Sequence, residues 1–244
     1  MRTRGLLGWL GLWALILAPA GGRAGQLWIH FIDVGHGDAI WIQAPAEEGA
    51  DRWLNILIDG GRYAGDCSRL VTYLEAHQLR RGSLIDYMII THPHTDHYGG
   101  LSEVLDAYEV RNIIDSGCPG TKRFKDFLKK VRAEKVQGDK ANFVQLRSRP
   151  DLKLEWGAVE ARILHRDRAD LKGMGGDNSR TNNASTVIRL AYGRFSFLLM
   201  GDAEGKEREA KADEPRYVER ELLDKLGAAA LRSTVLKAGH HGSE

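Results

Sequence analysis

Residues 87–97 read Tyr87-Met88-Ile89-Ile90-Thr91-His92-Pro93-His94-Thr95-Asp96-His97, an apolar run followed at once by three histidines and an aspartate. The run at 87–90 predicts a strand that delivers these polar residues at its carboxyl end. Burying His92, His94, Asp96 and His97 without partners is expensive. Metal ligation removes that cost. Imidazole nitrogens and a carboxylate suit zinc, manganese or iron, and one short loop serves two neighbouring ions by pointing alternate side chains to opposite sides. A surface histidine cluster is the plainer alternative.

Upstream of this run, Leu27, Ile29 and Phe31 alternate with Trp28, His30 and Ile32, and residues 39–43 and 54–58 add two strand-like segments before Gly60-Gly61. These predict an opening β-meander, and Leu70, Val71 and Leu74 then recur at helical spacing. Downstream, 101–107 reads as a helix and 110–114 as a strand, while Phe124, Phe127, Leu128 and Val131 mark one apolar helix face. The other face carries Lys122, Arg123, Lys125, Lys129, Lys130 and Arg132, and reads as a solvated face rather than a track for an anionic polymer. Strands at 159–164, 186–191 and 195–199 follow, the last two joined through Tyr192-Gly193 as in a hairpin. A charged helix over 210–225 and a strand over 234–237 complete the pattern. Alternating strands and helices, with no linker or repeat, predict one layered α/β domain over residues 26–244.

At the amino end, Arg2 and Arg4 precede an apolar stretch from Leu6 to Leu17, and Ala18-Pro19-Ala20 supplies a small-x-small pattern. Residues 1–20 therefore read as a signal peptide, with a retained anchor as the alternative, and the mature chain is expected to be secreted or periplasmic. The apolar stretch is shorter than the roughly 20 residues that span a bilayer, and no later segment has the length and apolarity to do so. Export permits a disulfide between Cys67 and Cys118, with two free thiols as the other possibility. A formal net charge of +2 neither requires a nucleic-acid surface nor excludes a phosphodiester substrate.

His92-x-His94-x-Asp96-His97 resembles the signature of the metallo-β-lactamase superfamily. That resemblance implies an αβ/βα four-layer sandwich and two divalent ions, zinc or manganese. His92 and His94 would hold one ion, Asp96, His97 and a later histidine the other. Asp59, in Ile58-Asp59-Gly60-Gly61, resembles the aspartate that orients the metal loop by hydrogen bonds. Asp202, in Met200-Gly201-Asp202, resembles the carboxylate that bridges both ions. His240 is expected as the later histidine, with His241 beside it as proton donor or phosphate contact.

The usual third-motif histidine is replaced by Asn182-Asn183-Ala184-Ser185, and an amide is a weaker ligand than imidazole. His165 is the nearest other histidine, though it falls early. Asp33, His36 and Asp38, in Phe31-Ile32-Asp33-Val34-Gly35-His36-Gly37-Asp38-Ala39, either line the site or hydrogen-bond within their loop. This segment, the Asn182-Asn183 segment and Leu236-Lys237-Ala238-Gly239-His240-His241-Gly242-Ser243 resemble the hydrolase domain of ComEC-type competence proteins over about residues 26–243. His36 stands where those domains usually carry Gln. Relatives continue past the equivalent of His241, so the last strand is expected at an edge and the carboxyl-terminal part of the fold to be missing.

The resemblance implies hydrolysis of a phosphodiester, either nucleic acid or a small diester, by a hydroxide generated on the ions. Asp96 would assist at the catalytic centre, and His241 or Asn183 would stabilise charge on the phosphoryl oxygens. A β-lactamase or lactonase is the second enzymatic reading, and a binding module with a degenerate metal site is the non-enzymatic one.

Overall fold

The computed structural model describes residues 25–62, 69–168, 177–205 and 214–242. The signal-peptide segment, Cys67 and Ser243 lie outside the described residues, as do 210–213 of the helix expected over 210–225. Along the chain run β1 (Trp28–Phe31), β2 (Ile40–Pro45), β3 (Trp53–Ile58), α1 (Arg69–Ala76), β4 (Leu84–Ile90), α2 (Thr95–Tyr98), α3 (Leu101–Ala107), β5 (Glu109–Asp115) and α4 (Lys122–Ala133). A small hairpin of β6 (Lys135–Val136) and β7 (Asp139–Lys140) precedes β8 (Asn142–Gln145), β9 (Leu154–Trp156) and β10 (Val159–His165). Then come α5 (Asp177–Asn183), β11 (Val187–Tyr192), β12 (Phe195–Leu199), α6 (Tyr217–Leu231) and β13 (Val235–Lys237).

The first sheet has the order β1-β2-β3-β4-β5-β8, the second β13-β12-β11-β10-β9. In the first, β1, β2 and β3 pair antiparallel and β3, β4, β5 and β8 parallel. In the second, only β12 and β13 run parallel. Strands covered on both faces read as continuous apolar runs rather than clean alternation, and this is what β2 to β5 show. Ile40, Ile42, Ile56, Ile58, Ile89 and Ile114 point between the sheets, where they meet Trp156, Ile188, Leu190, Phe197 and Leu199 of the second sheet. Trp41, Leu57, Met88 and Ile113 point the other way, onto Leu70 and Leu74 of α1, Leu101 and Val104 of α3 and Phe124 and Phe127 of α4. On the far side, Val187 and Leu198 pack against Val218 and Leu222 of α6. Helix, sheet, sheet and helix therefore form the four expected layers.

The apolar face of α4 is buried as its spacing predicts, behind an amino-terminal cap in which Thr121 Oγ1 accepts from Phe124 N. The hairpin turn between β11 and β12 falls one residue later than expected, at Gly193-Arg194, because Tyr192 still pairs with Phe195. The charged helix begins at Tyr217 and runs to Leu231. β13 is an edge strand of its sheet.

One buried carboxylate shapes the acid stability of this frame. Asp115, at the end of β5, is fully buried, with Oδ2 accepting from Gln145 Nε2 at 2.8 Å and Oδ1 without a hydrogen-bond partner. Burial, aided by the charge of Asp167 and opposed by the Gln145 hydrogen bond, pushes its carboxyl up to about 6. The folded state thus holds a proton that the unfolded chain releases near pH 4. Asp115's contribution to stability is full below pH 4, falls as pH rises to about 6, and is flat beyond, a loss of up to about 3 kcal/mol. Urea unfolding of wild type and Asp115→Asn at pH 4.5 and 7.5 should show wild type losing more stability over that interval than the variant. Equal losses would remove Asp115 as the titrating group.

Candidate metal centre

The site collects at one edge of both sheets, where β3, β4, β12 and β13 end and where β2 and β11, which run opposite to their neighbours, begin. Its scaffold is Asp59. This residue follows β3 with a left-handed backbone (φ 58°), and its buried carboxylate accepts from Thr91 N at 2.8 Å and Thr91 Oγ1 at 2.6 Å. Asp59 Oδ2 also stands 2.7 Å from His97 Nδ1. The short helix α2 turns the chain back so that His97 returns beneath His92, while Gly60 N donates to His97 O at 2.6 Å. Gly100 permits that approach, since a Cβ there would lie 2.2 Å from Gly60 O.

Two groups of ligand atoms result, and Asp202 belongs to both: His92, His94 and Asp202 form one, and Asp38, His97, Asp202 and His241 the other, with the ligand atoms of each within 4.8 Å of one another. Asp202 Oδ2 lies 3.2 Å from His97 Nε2, 3.3 Å from His241 Nε2 and 3.7 Å from His92 Nε2. His92 Nε2 and His94 Nδ1 face each other at 3.0 Å. Asp96 Oδ2 borders the second group, 3.6 Å from His241 Nε2.

The charges in this cluster are strongly biased. Burial, together with the charge of His97, drives His92 well below the usual imidazole range, so it presents a neutral ring. Burial also disfavours the charged form of His97, yet Asp59 and Asp202 hold its pKa up at about 10. Hydrogen bonds to Asp202, Asp38 and Asp96 raise His241 to about 11. Burial alone would raise Asp202, but His241 and His97 keep it well below the ordinary carboxylate range. Where several carboxylates converge on imidazoles, the structure demands positive charge at the centre, and a proton or a metal ion meets that demand.

The donor set fits two divalent ions. His97 Nε2 and Asp202 Oδ1 are buried without a hydrogen-bond partner, although both sit among polar groups. Such orphaned atoms are costly unless something else binds them.

The structure brings His92, His94, Asp96, His97, Asp202 and Asp59 together, and of the last histidine pair it sets His241, rather than the expected His240, in a ligand group. His240 and His241 both adopt left-handed backbones (φ 45° and 55°), and their ring centroids lie 6.1 Å apart. His241 joins the ligand group, whereas His240 lies beside Asn182 Nδ2 at 3.4 Å and Glu204 Oε1 at 3.9 Å. Asn182 donates to Glu204 Oε1 at 2.9 Å and keeps a buried Oδ1 without a partner. Asn183, expected to face substrate, is fully buried, and its Oδ1 accepts from Glu204 N. His165 belongs to neither ligand group: its Nε2 lies 2.8 Å from Asn183 O and its Nδ1 3.5 Å from Glu221 Oε1.

In the β1–β2 loop, Asp38 enters the second group and His36, 65% exposed, lies 3.2 Å from Asp96 Oδ2 at the mouth. Asp33 is exposed and turns away to Gly35 N and Arg69. Two contributors escaped the sequence reading. Ser185 Oγ accepts from Asp202 N at 3.0 Å and lies 3.3 Å from His92 Nδ1, and Lys237 Nζ ion-pairs with Asp38. A hydroxyl just before a strand and a single lysine within one carry no spacing that marks them. Cys118 is buried, and burial pushes its thiol up to about 12; its suggested partner Cys67 lies outside the described residues.

A family model described as "Metallo-beta-lactamase superfamily" matches residues 55–243. The chain is 25% identical over 249 aligned positions to ComE operon protein 3 of Bacillus subtilis (strain 168), covering 96% of this chain and 27% of that protein. It therefore spans about a quarter of that relative's length. A metallo-β-lactamase fold-containing protein, ST1585 of Sulfurisphaera tokodaii, is 42% identical over 57 residues, 22% of each chain. Among solved structures, the metallo-β-lactamase fold protein YhfI from Bacillus subtilis superposes with a TM-score of 0.44 at 14% identity, over 75% of this chain and 64% of that one.

Proposed function

The chain belongs to the metallo-β-lactamase superfamily, and from that premise we propose that it is a dinuclear metal-dependent hydrolase acting on phosphodiesters. The observation that carries this reading is Asp202, one buried carboxylate shared by both ligand groups. Carboxylates of this kind hold two ions about 3.5–4 Å apart in two-metal phosphoryl-transfer sites.

When bound, the ions supply Lewis acidity and a hydroxide near neutral pH. The residues do the rest. His92 and His94 would hold the first ion, Asp96, His97 and His241 the second, and Asp202 would be shared by both. His97 Nδ1 donates to Asp59, which leaves Nε2 directed inward. The exposure of His36 beside Asp96 favours a contact between this ring and the substrate. The likeness to ComEC-type hydrolase domains puts nucleic acid first among phosphodiesters and small diesters second. Reading residues 1–20 as a signal peptide favours a secreted or periplasmic location for this activity. Among the described residues no helix is long and apolar enough to cross a membrane.

Purified protein should release p-nitrophenol from bis-p-nitrophenyl phosphate when manganese or zinc is added, stop on chelation, and leave nitrocefin intact. Rapid metal-dependent nitrocefin turnover without diester hydrolysis would replace the phosphodiester reading with a β-lactamase. A folded protein inert on both with every metal would make it a binding module.

A further inference from the structure

Two histidines of the cluster are backed by carboxylates in the same way, but only one of these pairs follows from the family likeness. Asp59 Oδ2 lies 2.7 Å from His97 Nδ1 and so leaves His97 Nε2 on Asp202, 3.2 Å away. Asp38 Oδ1 lies 3.1 Å from His241 Nδ1, and His241 Nε2 then faces Asp202 Oδ2 at 3.3 Å and Asp96 Oδ2 at 3.6 Å. We propose that Asp38 is the positioning residue of the second metal site, setting the ring of His241 as Asp59 sets that of His97, with Lys237 locking Asp38 in place. The inference rests on the dinuclear reading above.

His241 needs such support more than His97 does. It sits on a single turn over Gly239–Gly242 that follows the edge strand β13, with a left-handed backbone and a side chain 28% exposed. A partner 203 residues away in sequence ties this turn to the loop before β2. Asp38 is itself held firmly. Gly61 N donates to Asp38 O at 2.8 Å and Arg62 N to His36 O at 3.0 Å, so the loop before β2 is hydrogen-bonded to the Gly pair after β3.

Lys237 closes the arrangement. Its ammonium, on a side chain 10% exposed, takes Asp38 Oδ2, donates to Gly201 O at 2.7 Å and stands 3.7 Å from Asp202 Oδ1. Both Asp38 oxygens are therefore engaged, Oδ1 by His241 and Oδ2 by Lys237, whereas Asp202 Oδ1 has no hydrogen-bond partner. That contrast makes Asp38 a support behind a ligand rather than a ligand. Carboxylates behind metal-bound imidazoles fix tautomer and ring orientation, and losing one costs about 10–100-fold in metal affinity.

The test is cobalt titration of metal-stripped wild type, Asp38→Ala and Asp38→Asn, following the visible cobalt spectrum, with circular dichroism for folding. Wild type should bind two equivalents. Asp38→Ala should bind the first as wild type does and the second about 10–100-fold more weakly, with an altered spectrum. Asp38→Asn keeps an oxygen for His241 and should recover most of the second affinity; it also keeps the question answerable should the alanine variant fail to fold. Wild-type binding and spectrum in Asp38→Ala would overturn the positioning role. Complete loss of the second equivalent in both variants would overturn it in favour of direct ligation. A wild type that takes up no metal would bring down the dinuclear reading itself, and this inference with it.

Discussion

Replacing Asp202 with asparagine is expected to lower kcat/KM on a phosphodiester by at least about 10³-fold and to reduce bound metal from two equivalents to fewer than one. Lewis-acid stabilisation by such ions is worth several kcal/mol, and each 1.36 kcal/mol is a factor of ten in rate. Asp202 is the one side chain common to both ligand groups, so its loss weakens both positions together. An amide has nearly the same shape but is a poorer ligand for a hard or borderline cation. Its neutrality also removes the charge that holds His97 and His241 inward. Metal analysis and steady-state kinetics on the folded variant decide the matter. Two retained equivalents, with a rate within tenfold of wild type, would show that Asp202 does not bridge.

Asp202 is expected through the family resemblance alone, because a Gly-Asp pair after a strand otherwise reads as a turn. A metal loop on one short segment, like His92 to His97, concentrates ligands where spacing reveals them. The strands are legible for a similar reason. The runs at 54–58 and 87–90 are apolar on both faces because one face meets the other sheet and the other meets helices. β8 and β9 escaped because neither Asn142–Gln145 nor Leu154–Trp156 is long enough to establish a period. α5 escaped because Asp177–Asn183 is wholly polar and has no apolar stripe to declare it.

What stayed hidden at the site is what depends on tertiary contact. Nothing local distinguishes His240 from His241; two successive left-handed residues decide which ring enters the cluster. Lys237 looks like the end of an exposed strand, and only the approach of the β1–β2 loop turns it into a buried ion-pair partner of Asp38. Asn183 stands where a catalytic amide would be sought, yet the backbone of Glu204 uses it first.

The same loop gives the other large effect, a substitution that touches no ligand. Gly37→Ala is expected to lower kcat/KM about 100-fold and to destabilise the fold by roughly 1–3 kcal/mol. Gly37 has φ +91°, and a Cβ there would fall 1.6 Å from the carbonyl oxygen of Asp96 and 2.6 Å from its carbonyl carbon. No rotamer change relieves a clash with backbone, so one loop must move by an ångström or more. Neither moves freely. The metal loop is pinned to Asp59 through Thr91 and His97, and the Gly37 loop to Gly61 and Arg62. Whichever yields, either Asp96 leaves its place or Asp38 draws His241 from Asp202, and a misplacement of about 1 Å at a reacting centre costs about 10²-fold. Gly49→Ala is the control that separates clash from backbone strain. Gly49 also has a positive φ, +76°, but nothing lies within 4 Å of its added Cβ. It should therefore share the loss of stability, read by urea unfolding, and keep wild-type kinetics. If Gly37→Ala matches the control in both measurements, the loop before β2 does not set the geometry of the metal loop.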